Sequence, residues 1–222
     1  MIEGISTTYP YNRVYDYVRF GSAEDIPYKV LTYLMDFPSQ SYTPPDDNDY
    51  PRTRLKKYLY WDEPNPLDNV LPTMAQLKML WYNPAFPDTC QDEERGYRIF
   101  PQSLISQAQI KGQTIIRCSI GNVTARTSSS LNSFGASITV TFDVLSSTAI
   151  ESNTRTTVLS RTFAMACCIV DALNGVNIDG VGSFYFDRNR NSYCGMTPIN
   201  DETSNIGYRV VVGLDWMGDN SI

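Results

Sequence analysis

Apolar and polar positions alternate most regularly between residues 134 and 145. Phe134, Ala136, Ile138, Val140, Phe142 and Val144 take turns with Gly135, Ser137, Thr139, Thr141, Asp143 and Leu145. Successive side chains of a strand point to opposite faces, so a period of two predicts a half-buried β-strand. Residues 113–120 predict a second strand, with Ile116, Cys118 and Ile120 on one face, and residues 207–216 a third, with Tyr208, Val210, Val212 and Leu214 together. Shorter strands are expected at 97–100 and 181–186, the latter turning at 187–191 toward a return strand around 192–196. The period changes to 3.6 at Val158, Leu159, Phe163, Ala166, Cys167, Val170 and Leu173. That spacing predicts one helix over about residues 154–174, capped by Ser152 or Asn153 and stopped by Gly175. Residues 121–133 are dominated by Ser, Thr and Asn, which bond their own backbone, so they form a long hairpin loop or a frayed extension of the two strands.

The first 96 residues lack this order. Eleven prolines between Pro10 and Pro87 interrupt every run, and each removes a backbone donor. A short helix is expected at 25–36, where Val30, Leu31 and Leu34 recur before Pro38. Another starts at Thr73, which forms a capping box with Gln76 ahead of Leu77, Leu80 and Trp81, and ends before Pro84. Between them, residues 39–60 read as an extended arm or long surface loop. Its tyrosines suit a segment packed on another surface, such as a neighbouring subunit. The expected fold is α+β: an antiparallel or mixed β-sheet packed against one long helix, with an irregular Pro/Tyr-rich N-terminal region. Residues 1–96 form that region and 97–222 the core, in one continuous domain.

Apolar residues make up 42% of the chain and charged residues 19%, which predicts a soluble domain with a sizeable core. No run approaches the roughly 18–20 apolar residues of a membrane helix. The start, Met1-Ile2-Glu3-Gly4, lacks the pattern of a signal peptide, which points to a cytoplasm. The five cysteines, Cys90, Cys118, Cys167, Cys168 and Cys194, have no paired spacing and read as packing residues. A net charge of −6 has the wrong sign for gripping phosphates. The one dense basic run, Arg52-Thr53-Arg54-Leu55-Lys56-Lys57-Tyr58, reads as a solvated loop balanced by Asp46, Asp47 and Asp49, or else as a loop contacting nucleic acid.

Histidine is absent from the chain, which removes Ser-His-Asp and Cys-His nucleophiles and most transition-metal sites. Residues 46–57 lack the glycine and terminal glutamate of a calcium loop. Gly175, Gly180 and Gly182 follow a helix instead of a strand, so they turn the chain and do not cradle phosphate. Asp215 and Trp216 stand where they could line a cleft. No catalytic residue, metal or cofactor is expected.

Three features carry a resemblance: paired long strands at 114–120 and 134–146 with a Ser/Asn-rich tip, the helix at 154–174, and the closing strand Gly207-Tyr-Arg-Val-Val-Val-Gly-Leu-Asp-Trp216. Together with Ile138-Thr-Val-Thr-Phe-Asp-Val144 and Asn205-Ile-Gly-Tyr-Arg209, they make residues 97–217 similar to phage tail terminator and head-to-tail neck proteins. The resemblance implies a structural virion protein, assembled in the host cytoplasm as a homo-hexameric ring. DNA would pass through its channel without sequence-specific binding, and its partners would be tail-tube and neck or connector proteins. The tip residues Thr127, Ser129 and Asn132 would then meet the tube. Tyr50, Arg52, Arg54, Tyr58 and Trp61 of the arm would clasp an adjacent subunit. Two other classes stay open: a non-enzymatic binding or adhesion module using N-terminal aromatics, for example for carbohydrate, and an enzyme using carboxylates alone.

Overall fold

The computed structural model describes residues 22–36, 47–82, 95–102, 113–126, 135–153, 160–201 and 205–217. Their seven strands form one mixed sheet: β1 (Ile99–Phe100), β2 (Ile115–Arg126), β3 (Gly135–Ser147), β4 (Asn177–Ile178), β5 (Gly182–Tyr185), β6 (Gly195–Asp201) and β7 (Asn205–Met217). The order is β1-β2-β3-β7-β5-β4, with β6 also paired to β7. Only the β1–β2 pairing among these strands is parallel. Five α-helices accompany the sheet: α1 (Ile26–Leu34), α2 (Pro51–Tyr60), α3 (Met74–Met79), α4 (Thr148–Asn153) and α5 (Arg161–Leu173).

The alternation along β3 sets the register of the central ladder. Phe142 pairs with Cys118 and Val210, and Val140 with Ile120 and Val212. Ala136, Ile138, Val140, Phe142 and Val144 are all buried on one face. The isoleucine, the phenylalanine and the two valines each contribute roughly 1.5–3 kcal/mol by leaving water. α5 lies on β7 and β3, α1 on β2, and α2 on α5. A single apolar cluster therefore runs from Ala23 through Leu31, Leu55 and Ile169 to Trp216.

Three expectations change. The principal helix is α5, of 13 residues, and not one long helix over 154–174. Ser160 has extended dihedrals (φ −62°, ψ 153°) and its hydroxyl accepts from the Phe163 amide, so the helix begins there. Ser152 and Asn153 belong instead to the separate α4; residues 154–159 lie outside the described ones. Residues 51–60 form α2 and are not part of an extended arm. Residues 121–126 continue β2 as strand, the second of the two alternatives that their sequence left open. The return strand near 192–196 is β6, shifted to residues 195–201; it pairs with β7, and β5 pairs with another stretch of β7.

The expected helix at 25–36 appears as α1, and the Thr73–Gln76 capping box is complete on α3. The glycine cluster turns the chain as predicted, with φ of 79°, 67° and 131° at Gly175, Gly180 and Gly182.

Candidate interaction surfaces

The basic run expected on the surface lies largely inside. Pro51 at the first turn has a φ suited to helix and no donor to leave unpaired, and Leu55 and Leu59, one turn apart, enter the core. Arg52 and Lys56 reach back to the end of α1, where Asp36 (φ 58°) pairs with both. Arg52 also donates to the Tyr33 carbonyl at 3.2 Å. Burial lowers the pKa of Lys56, and Asp36 opposes that shift.

At the other end of α2, two arginines converge on carbonyls that a helix terminus leaves without partners and with partial negative charge. Arg161 Nη1 donates to the Tyr58 and Trp61 carbonyls (3.1 and 2.5 Å), and Nη2 to that of Glu63 (2.7 Å). Arg98 Nη1 donates to the Leu59 and Tyr60 carbonyls (2.8 and 3.2 Å). Its guanidinium also forms a two-pronged pair with Asp62 at 2.9 and 2.5 Å. Arg98 is 1% and Arg161 0% exposed. Burial lowers the pKa of Arg161, against the attraction of Asp62 and Glu151.

Of the predicted arm residues, only Tyr50 is well exposed, at 51%. Arg52 and Arg54 are half-buried, and Arg54 interacts with Tyr58 and Asp171. Tyr58 is core, and Trp61 donates its indole N–H to the Val70 carbonyl at 2.9 Å. Tyr58 thus serves the core, Arg52, Arg54 and Trp61 keep partly exposed side chains, and Tyr50 stands in solvent. Thr127, Ser129 and Asn132 lie outside the described residues. The strands leading to them continue to the Arg126–Gly135 pair, and residues 121–124 are exposed. Gly121 and Asn122 together oppose Thr139, a bulge that sharpens the local twist. Thr139 Oγ1 holds it by accepting from the Asn122 amide at 2.6 Å.

The sheet face opposite the main core is polar through its middle. Asp143 pairs in register with Arg117 on β2 and Arg209 on β7. Its carboxylate lies 3.2 Å from Arg117 Nη2 and 2.7 Å from Arg209 Nε. The hydrogen bond to Asp143 raises the Arg209 pKa, against desolvation. Further along, the Tyr185 ring covers Gly213, where a Cβ would lie 2.2 Å from the ring. Tyr185 Oη is 3.0 Å from Ser137 Oγ, and Arg190 lies 4.1 Å over the ring while pairing with Asp215. Asp215 is thus engaged and Trp216 is 3% exposed in the core, so neither lines a cleft.

An open groove of about 370 Å³ lies where the helix layer meets the β6–β7 hairpin, lined by Glu151, Thr162, Pro198, Ile199, Ile206 and Tyr208 among others. Glu151 Oε1 accepts from the amide and hydroxyl of Thr162 at 3.3 and 2.9 Å. Glu151 Oε2 is buried without a hydrogen-bond partner among the described residues. No signal marked Glu151 in the sequence. Arg161 did leave one: it sits in register with Met165, Cys168 and Ala172 on a buried stripe, where a lone cation needs partners.

Burial pushes the Cys168 thiol up to about 12, despite the nearby Arg54. Burial also raises Cys118 and Cys167. Thiols so shifted hold little thiolate at neutral pH and act as packing groups. Among the described residues, no three His, Cys, Asp or Glu side chains cluster as metal ligands would, and no helix is long and apolar enough to cross a membrane. A family model, YomW, matches residues 53–212, more than two thirds of the chain. No curated protein and no solved structure matches.

Proposed function

The chain belongs to the YomW family, a phage-derived protein family, and from that premise we propose that it is a structural virion protein, a tail terminator. In this reading copies form a ring, a hexamer, at the head-proximal end of a phage tail and join it to neck or connector proteins. The observation that carries the reading is the β2–β3 hairpin. Its ladder runs on to Arg126 and Gly135 while residues 121–124 stand in solvent, which suits a projecting element that meets another protein. The charged pairs of Asp143 with Arg117 and Arg209 support it as well, because they give the sheet face opposite the main core a polar surface on which copies can meet around an axis. A net charge of −6 suits a channel that lets DNA slide without gripping phosphates.

The protein then acts without catalysis or cofactor, in the virion, after assembly in the host cytoplasm. A carbohydrate-binding module built on N-terminal aromatics draws less support, since Tyr58 and Tyr60 are buried. Peptide mass spectrometry of purified particles, with gold-labelled antibody in electron micrographs, tests the proposal. Label at the head–tail junction is the expected result. Absence of the chain from particles, or label elsewhere on them, would overturn it.

A further inference from the structure

The β5–β6 turn presents two side chains with little to do within their own chain. Arg188 is exposed, with no hydrogen bond or ion pair among the described residues. Tyr193 is 62% exposed. The backbone between them is held in place: Asp187 Oδ1 accepts from the Asn189 amide at 2.9 Å, Asp187 O from the Asn191 amide at 3.0 Å, and Asn191 Oδ1 from the Tyr193 amide at 3.1 Å. Such nested Asx bonds pre-set the turn, so less ordering cost remains for a contact. Arginine and tyrosine are also the side chains that dominate interface energetics.

The groove has the complementary features. Its floor is apolar, with Ile206 and Tyr208, and Pro198 forms one wall. On the other wall Glu151 carries one carboxylate oxygen that is buried, with no hydrogen-bond partner among the described residues. Glu151 brings a negative charge to the groove lining, which an arriving guanidinium complements while its aliphatic stem covers the tyrosine. The turn and the groove lie toward opposite ends of β6: the turn enters at Gly195, and the groove lies against Pro198 and Ile199.

We propose that copies of this chain join head to tail, the 187–193 turn of one copy docking in the Glu151 groove of the next, with Arg188 paired to Glu151 and Tyr193 on the apolar floor. Because the two patches differ, the contact is heterologous, and repetition closes into a ring when the rotation permits. This inference rests on the ring reading above and names its interface.

Charge reversal tests it by native mass spectrometry of the full chain. Arg188→Glu and Glu151→Arg should each reduce the ring population at least tenfold, and the double variant Arg188→Glu/Glu151→Arg should restore it. Arg188 is on an exposed turn, so Arg188→Glu decides alone if Glu151→Arg does not fold. Rings from either folded single variant at the wild-type level, or a double variant no better than the worse single, would overturn this interface and leave the ring reading standing. A wild-type chain that forms no ring, alone or with tail tubes, would overturn both.

Discussion

The central sheet and the α2 anchor hold the molecule together by different physics. β3 is fixed by apolar alternation: each inward side chain adds its own burial, and the register with β2 and β7 follows from placing that face inward. α2 buries Leu55 and Leu59 and is in addition fastened at both ends by charge. Asp36 holds one end through Arg52 and Lys56, and Arg98 and Arg161 hold the carbonyls of the other. The contrast teaches that an N-terminal segment crowded with prolines and charges can be as internal as a sheet. Its charges are then the fasteners, and each depends on a partner distant in sequence, as Arg161 depends on Tyr58.

The difference predicts where single substitutions hurt most. Arg161→Leu leaves the Tyr58, Trp61 and Glu63 carbonyls without their buried donor, and should cost about 3–5 kcal/mol of stability in urea unfolding. A loss below about 1 kcal/mol would mean that α2 is not fastened by this side chain. Asp143→Ala removes the carboxylate that Arg117 and Arg209 share on the half-open face, and an intermediate loss of about 1–3 kcal/mol is expected. A loss as large as that of Arg161→Leu would erase the distinction between the two regions. Ser160→Ala removes one cap at the start of α5 and should cost about 1 kcal/mol.

The last effect is read by pH, at thiols buried in the sheet and in α5. The Cys168 thiol titrates near 9.0 when unfolded and at about 12 in the fold. Between those values the unfolded state binds fewer protons, so stability falls as pH rises. The wild type should therefore lose about 1 kcal/mol from Cys168 between pH 9 and 10. Cys118 acts in the same direction. The slope difference between wild type and Cys118→Ala/Cys168→Ala isolates both thiols, and equal slopes would show that they are not buried.

What the sequence disclosed follows the same division. The β3 strand, the closing strand and the Thr73–Gln76 box were legible because alternation and capping are local patterns. α2 was misread because Asp46, Asp47, Asp49 and the basic run suggest solvent. Pro51 at the first helical position and Leu55 with Leu59 at i,i+4 spacing were the signals outweighed. β6 was displaced because Pro198 argues against strand, although an edge strand tolerates it. The start of α5 was set too early because Val158 and Leu159 continue its apolar period, whereas Ser160 is the cap. The Glu151 groove was illegible, since it joins residues from α4, α5, β6 and β7 by tertiary packing alone.

Assembly is the central claim, and native mass spectrometry of the purified full chain over a range of concentration and salt, with and without tail tubes, tests it most directly. The account predicts a closed ring of six copies, formed by the chain alone or on adding tubes. A chain that stays monomeric or dimeric under all these conditions would contradict it.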